Sequence, residues 1–278
     1  WLCPSLQDGA NDLSGNDNDG VYQGGMGTVT DVSNGGSLAY DFDGVGDYIS
    51  NSSLDLRGLS ALSYSAWIYD TKGTSPISAM FSFGKSGAAS YPDDILFYQK
   101  SNVELQVNNG QDGSANSSTA SSKNSWHHIA VVFDGAGSGN SGRLRLFVDG
   151  VEVSMAYGYT VPVSTSAISP FETQIGSYTG SPTGNFFQGK QDDVRVFTRP
   201  LTQAEITHLA SQRGVLGTPF EGLGDEQLWL CPSLQDGTND LSGNNNDGVY
   251  QGGMGTVADV SNGGSRAYYI DSSGQRVE

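Results

Sequence analysis

LRLFVDGVEV stands at residues 144–153, and its reading decides the fold. Leu144, Leu146 and Val148 alternate with other residues on one arm, and Val151 and Val153 do so on the other. A period of two puts the apolar set on one face of a strand. Between the arms lies Asp149-Gly150, a pair that accepts the positive φ angles of a two-residue hairpin turn. We therefore read Arg143–Val148 and Val151–Met155 as two antiparallel strands.

The same period runs outward in both directions. SLAYDFD at 37–43 alternates Leu38, Tyr40 and Phe42, and SYSAWIYD at 63–70 alternates Tyr64, Ala66 and Ile68. Further strands are expected at Ile77–Phe83, Ile95–Gln99, Val103–Val107, Trp126–Phe133, Glu172–Ser177 and Gln191–Phe197. One helix is expected, over Thr202–Gln212. Thr202 caps it, Glu205 completes a capping box and Gly214 follows its end. About a dozen short strands with one short helix predict an all-β, two-sheet antiparallel sandwich.

The chain has 278 residues, with 13 basic against 30 acidic, a net charge of −17. Nucleic acid is excluded as a partner, because a phosphate backbone requires a basic face. The 39 glycines fit a turn-rich protein. No apolar run of membrane-spanning length occurs, so membrane insertion is not expected. The chain opens on Trp1 without a Met or a signal peptide, and reads as a mature or excised piece of something longer.

The beginning of the chain occurs twice. WLCPSLQDG at 1–9 returns at 229–237, and residues 1–40 match 229–268 except at Ala10/Thr238, Asp17/Asn245, Thr30/Ala258 and Leu38/Arg266. Three parts follow: a sandwich over 1–213, a Gly-rich linker over 214–228, and a partial repeat over 229–278. A piece of sandwich that short cannot bury enough apolar surface to hold itself together. It is the start of a next domain in a tandem array, or it docks on its own domain, or it is donated to a neighbouring molecule. Strand donation is head-to-tail and builds open filaments. Trp229, Leu230, Cys231, Pro232, Leu234, Tyr268, Tyr269 and Ile270 are the residues expected to make that contact. The altered ending, YIDSSGQRVE at 269–278, is expected to fit a different edge. Cys3 and Cys231 are either two unpaired thiols or a disulfide, the latter only where the copies lie side by side.

Several stretches together carry a family likeness: NDLSGNDNDG (11–20), YDFDGVGDYI (40–49), LSYSAWIY (62–69), WHHIAVVFDG (126–135), LRLFVDGVEV (144–153), TQIGSY (173–178) and GKQDDVRVFTRPLTQAEI (189–206). They span about residues 1–212 in order, and they resemble the laminin G-like, concanavalin A-like jelly rolls of large extracellular bacterial proteins. The resemblance implies two stacked antiparallel sheets and an extracellular or cell-surface location. Gln191 departs from it, since the family has an apolar residue before the Asp pair.

Fold does not give function, which must be argued from a site. The paired carboxylates of a glycosidase strand are missing from the sequence. His127 and His128 read as a strand element with no nucleophile or orienting acid beside them, and His208 as a surface residue of the helix. No catalysis is expected. Calcium is the expected cofactor, because it takes carboxylate and carbonyl oxygens from loops. Its candidate ligands are Asp43 and Asp47, the pair Asp192 and Asp193, and Asn18 and Asp19 in a cluster with Asn16 and Asp17. Tyr91, Tyr98, Tyr157, Tyr159 and Tyr178 are candidate sugar platforms. The leading expectation is a non-catalytic extracellular module that assembles head-to-tail with copies of itself or with adjacent tandem domains. The alternative is a calcium-dependent carbohydrate-binding or adhesion module with glycan partners.

Overall fold

The computed structural model describes residues 10, 12, 14–31, 37–72, 77–85, 95–99, 101–107, 114–117, 122–167, 171–178, 185–213, 223, 225–230, 250–251, 255–259, 265–269 and 276–277. In chain order the strands of the sandwich are β1 (Val21–Gln23), β2 (Gly27–Asp31), β3 (Ser37–Asp43), β4 (Tyr48–Asn51), β5 (Ala61–Asp70), β6 (Ser78–Lys85), β7 (Ile95–Gln99), β8 (Val103–Val107), β9 (Ser114–Ser117) and β10 (Trp126–Asp134). After the short helix α1 (Gly139–Arg143) come β11 (Leu144–Val148), β12 (Val151–Val153), β13 (Met155–Tyr157), β14 (Phe171–Ile175), β15 (Gln188–Phe197), helix α2 (Gln203–Ser211) and β16 (Leu228–Leu230). One sheet runs β1-β4-β14-β6-β7-β8-β9-β13, and the other runs β12-β11-β10-β5-β15-β3-β2 with β16 added on β15.

The 144–153 hairpin forms as its sequence requires. Asp149 and Gly150 have φ of 52° and 80°, and Leu146 faces Val153 across the ladder. The expected run through Met155 is in fact divided at Ser154. Val151–Val153 stays with β11, while Met155–Tyr157 crosses to the other sheet and pairs with β9. A change of sheet at the sandwich edge ends one alternation and starts another, which a single period cannot reveal.

Between the sheets lies one apolar cluster, with Tyr40, Phe42, Tyr64, Phe81, Phe97, Ile129, Val131 and Phe133 among its members. The Tyr64 ring sits 5.1 Å from Phe81 and 5.6 Å from Phe97. Each such side chain contributes roughly 1.5–3 kcal/mol on burial. Strand β10 is apolar on both faces because both are covered. Ala130 and Val132 point away from the main core into a second cluster with Phe147, Phe197, Leu201, Ile206 and Leu209. Helix α2 supplies Ile206 and Leu209 to it, and the helix carries the expected capping box between Thr202 and Glu205.

The family-atypical Gln191 is fully buried, and its Nε2 donates to the Met80 carbonyl at 3.3 Å. Bonding to backbone is what allows an amide in that place.

The second copy repeats the ladders of the first. Strand β18 (Gly255–Asp259) pairs with β19 (Ser265–Tyr269) from Gly255↔Tyr269 to Asp259↔Ser265. With residue 1 set against 229, that is the register of Gly27↔Asp41 to Asp31↔Ser37 in β2 and β3. Strands β17 (Tyr250–Gln251) and β20 (Arg276–Val277) pair as Tyr250↔Val277, which corresponds to Tyr22↔Ile49 between β1 and β4. Among its described residues the altered ending keeps the first copy's pairing. Residues 214–222 lie outside the described residues, but Leu223 and Asp225–Leu230 lie against the sandwich.

Candidate strand-docking site

Strand β15 carries an irregularity that opens its edge. Its register against β5 shifts between Asp192 and Arg195, and Asp193 sits at φ 50°. A bulge of this kind bends a strand and redirects its side chains. On the side away from β5, β15 pairs with β3 only over Gln188–Gln191. Beyond the bulge the same side pairs with β16, as Val194↔Leu230, Arg195↔Trp229 and Val196↔Leu228. The place β3 leaves is filled by the first residues of the second copy.

Polar groups fix that strand. Arg195 is fully buried; its Nε donates to Asp193 Oδ1 at 2.9 Å and its Nη1 to Glu226 Oε1 at 2.9 Å. Glu226 is 3% exposed, and the same Oε1 accepts the Leu223 N–H at 2.7 Å. Buried charge survives only when paired and hydrogen-bonded in this way. The Gln227 N–H donates to the Val196 carbonyl at 2.8 Å. Outside, Asp225 pairs with Arg199, which also holds Glu205 at 2.8 Å and pulls its carboxyl down to about 2.

The loop at 12–19 clamps the segment from the other side. Asn16 Nδ2 donates to the Glu226 carbonyl at 2.8 Å, and Asn18 Nδ2 donates to the Gln227 carbonyl at 2.7 Å. Asp12 shapes the loop by accepting the Ser14 N–H at 2.9 Å and the Asn18 N–H at 3.0 Å, while Asp19 accepts the Asp12 N–H at 2.8 Å. Asn51 Nδ2 donates to the carbonyls of Asn18 and Asp19. Two of the three expected calcium clusters, Asn18/Asp19 and Asp192/Asp193, thus meet around residues 226 and 227.

The protein's own groups engage their side chains. Asp193 faces the Arg195 guanidinium, Asp192 Oδ1 accepts the Asp193 N–H at 2.8 Å, and the Asn18 amide is used on Gln227. Asp43 and Asp47 stand apart in the β3–β4 turn. There Asp43 Oδ1 accepts the Val45 and Gly46 N–H groups at 2.7 and 3.1 Å, and the Val45 bond is the main cause of its lowered pKa. Asp47 Oδ2 accepts the Asp43 N–H at 3.0 Å. Among the described residues no group of three or more His, Cys, Asp or Glu is placed to hold a metal. Among the described residues these carboxylates serve as acceptors for the protein's own donors.

Of the expected assembly residues, Trp229 and Leu230 lie in β16, and Tyr268 and Tyr269 lie in β19. Cys231, Pro232, Leu234 and Ile270 lie outside the described residues, as do Cys3, Asn11, Leu13 and Tyr91.

One constellation was not legible in the sequence. His127 Nδ1 lies 2.8 Å from Asp149 Oδ2, and its Nε2 lies 2.7 Å from Ser122 Oγ. The order is that of a Ser-His-Asp relay, so the expectation that His127 has no acid or hydroxyl beside it is corrected. Asp149 comes from the hairpin turn, which only the β10–β11 register brings opposite His127. Its other oxygen accepts the His128 N–H at 2.9 Å, and its side chain is 51% exposed. The relay ties a turn to a strand, with Ser122 and Asp149 exposed and His127 half-buried between them. His128 points inward, with Nε2 2.8 Å from Ser65 Oγ.

The described tyrosines differ in their surroundings. Tyr98 is buried and donates to Glu104, Tyr178 is buried, and Tyr157 donates to the Leu144 carbonyl at 2.7 Å. Tyr159 is 57% exposed.

The family model for the concanavalin A-like lectin/glucanases superfamily matches residues 43–207. The chain belongs to that superfamily. This concanavalin A-like chain is also similar to several solved structures. Domain 4 of AbnA, an extracellular arabinanase from Geobacillus stearothermophilus, in complex with arabinotriose, is 16% identical over 72% of this chain and 96% of that one, with a TM-score of 0.48. The CBM40 of the Ruminococcus gnavus IT-sialidase is 14% identical over 55% and 84%, with a TM-score of 0.43. A native heptameric SAP-like pentraxin from Limulus polyphemus is 16% identical over 59% and 75%, with a TM-score of 0.42. No curated protein matches the chain. Among the described residues no helix is long and apolar enough to cross a membrane.

Proposed function

We propose that this chain is a non-catalytic extracellular structural module that assembles head-to-tail into a fibre or layer. In that assembly the segment leading into the second copy adds a strand to β15 of a sandwich. The observation that carries this reading is the pairing of Leu228–Leu230 with Val194–Val196. Within one chain that segment lies on its own β15; in an assembly the same contacts form on the β15 of another copy. An added strand supplies backbone hydrogen bonds to any partner with a free edge. A donor at one end and an acceptor elsewhere generate open chains rather than closed dimers. The clamp supports repetition, because Asn16 and Asn18 recur in the second copy as Asn244 and Asn246. Removing residues 229–278 takes away Trp229 and Leu230, two of the three residues that pair with β15, together with the whole repeat, and leaves Leu228 and the Glu226 anchor in place. Light scattering and electron microscopy of that variant are expected to lose the larger assemblies of the full chain. Assemblies of unchanged size would refute the proposal. Carbohydrate binding is the second reading, favoured by membership of a lectin-containing superfamily and by the exposed ring of Tyr159.

A further inference from the structure

The anchors that hold the docked strand precede the repeat. Leu223 packs on the cluster beneath α2, and Asp225 pairs with Arg199. Glu226 reaches buried Arg195, and the carbonyls of Glu226 and Gln227 take the Asn16 and Asn18 amides. The ladder from Leu228 onward is a backbone contact and accepts many sequences. The duplicated WLCPSLQDG cannot distinguish one copy from the other. Selection must therefore come from the acidic lead, Asp225-Glu226-Gln227, and chiefly from the one carboxylate that enters the interior.

The geometry points to a peptide-accepting edge on β15 whose specificity is set by a buried carboxylate at position 226, its ligand the sequence Leu-Gly-Asp-Glu-Gln-Leu-Trp-Leu (223–230) of a second copy of this chain. This rests on the assembly reading and adds the address that reading lacks. Arg195 Nη1 meets the carboxylate at 2.9 Å inside the protein, where a neutral amide keeps the shape and loses the charge. Arg195 already has Asp193 at 2.9 Å on its Nε edge, so the acceptor stays folded while the edge exchanges occupants.

The test uses the full chain with a protease site inserted within residues 214–222. After cleavage, the carboxyl-terminal piece is expected to stay with the sandwich on size-exclusion chromatography. A synthetic peptide of residues 223–230 is then added, in the native form and with Glu226→Gln or Glu226→Asp. The native peptide is expected to displace the piece, and the Glu226→Gln peptide to need about 100-fold more or beyond, from loss of a buried charge pair. Glu226→Asp is expected to fall between them. Equal displacement by the native and Gln peptides overturns the specificity, and no displacement by either overturns the exchange. Assemblies unchanged by removing residues 229–278, together with intact discrimination between the peptides, would refute the assembly reading alone.

Discussion

His128 links the sandwich interior to pH. Its ring is buried at the β10–β5 ladder, 5.6 Å from Trp67, with Nε2 at 2.8 Å from Ser65 Oγ. Burial is the main cause that pulls its pKa from 6.5 to about 3; the Asp149 charge opposes the shift and the Arg195 charge adds to it. Between those values the unfolded chain binds a proton that the folded chain does not. Stability from this group is therefore complete above the unfolded pKa and is lost as pH falls toward the folded one. The slope is about 1.4 kcal/mol per pH unit, so roughly 2–3 kcal/mol goes between about pH 7.5 and pH 4.5. His128→Gln keeps a neutral partner for Ser65 and removes the titration. Carboxylates with shifted values, such as Asp70 raised chiefly by burial, are common to both proteins and cancel in the comparison. Urea unfolding at a series of pH values is expected to show the native chain losing that much more stability than the variant. Parallel curves for the two proteins would refute a buried, neutral His128.

Two further outcomes bear on function. A fluorophosphonate reagent is expected to leave Ser122 unlabelled, since its relay with His127 and Asp149 is open to water; labelling that Ser122→Ala abolishes would contradict the non-catalytic reading. A glycan array probed with and without a calcium chelator is expected to be silent in both arms, because Tyr98 and Tyr178 are buried and the candidate carboxylates serve the protein's own donors. Calcium-dependent retention of any glycan would favour the carbohydrate-binding reading over assembly.

Much of the fold is local, and local patterns survive in one sequence. The Asp149-Gly150 turn, the alternations of β3, β7 and β8 and the Thr202–Glu205 capping box depend on neighbours in the chain. The doubled β2–β3 hairpin forms in the same register in each copy for the same reason. Short strands such as β1, β4 and β9 escaped notice, because three or four residues carry too little period to separate from a turn.

The sequence by itself determined a β-sandwich and a repeated beginning. Only the tertiary structure decided where that beginning goes. The bulge at Asp192–Arg195 parts β3 from β15, and Glu226 crosses to a guanidinium on that last strand. Asn16 and Asn18 reach the same segment from more than two hundred residues away. Such contacts join distant residues through space and leave no period behind. A Glu in a Gly-rich stretch therefore reads as linker until the fold sets an arginine opposite it.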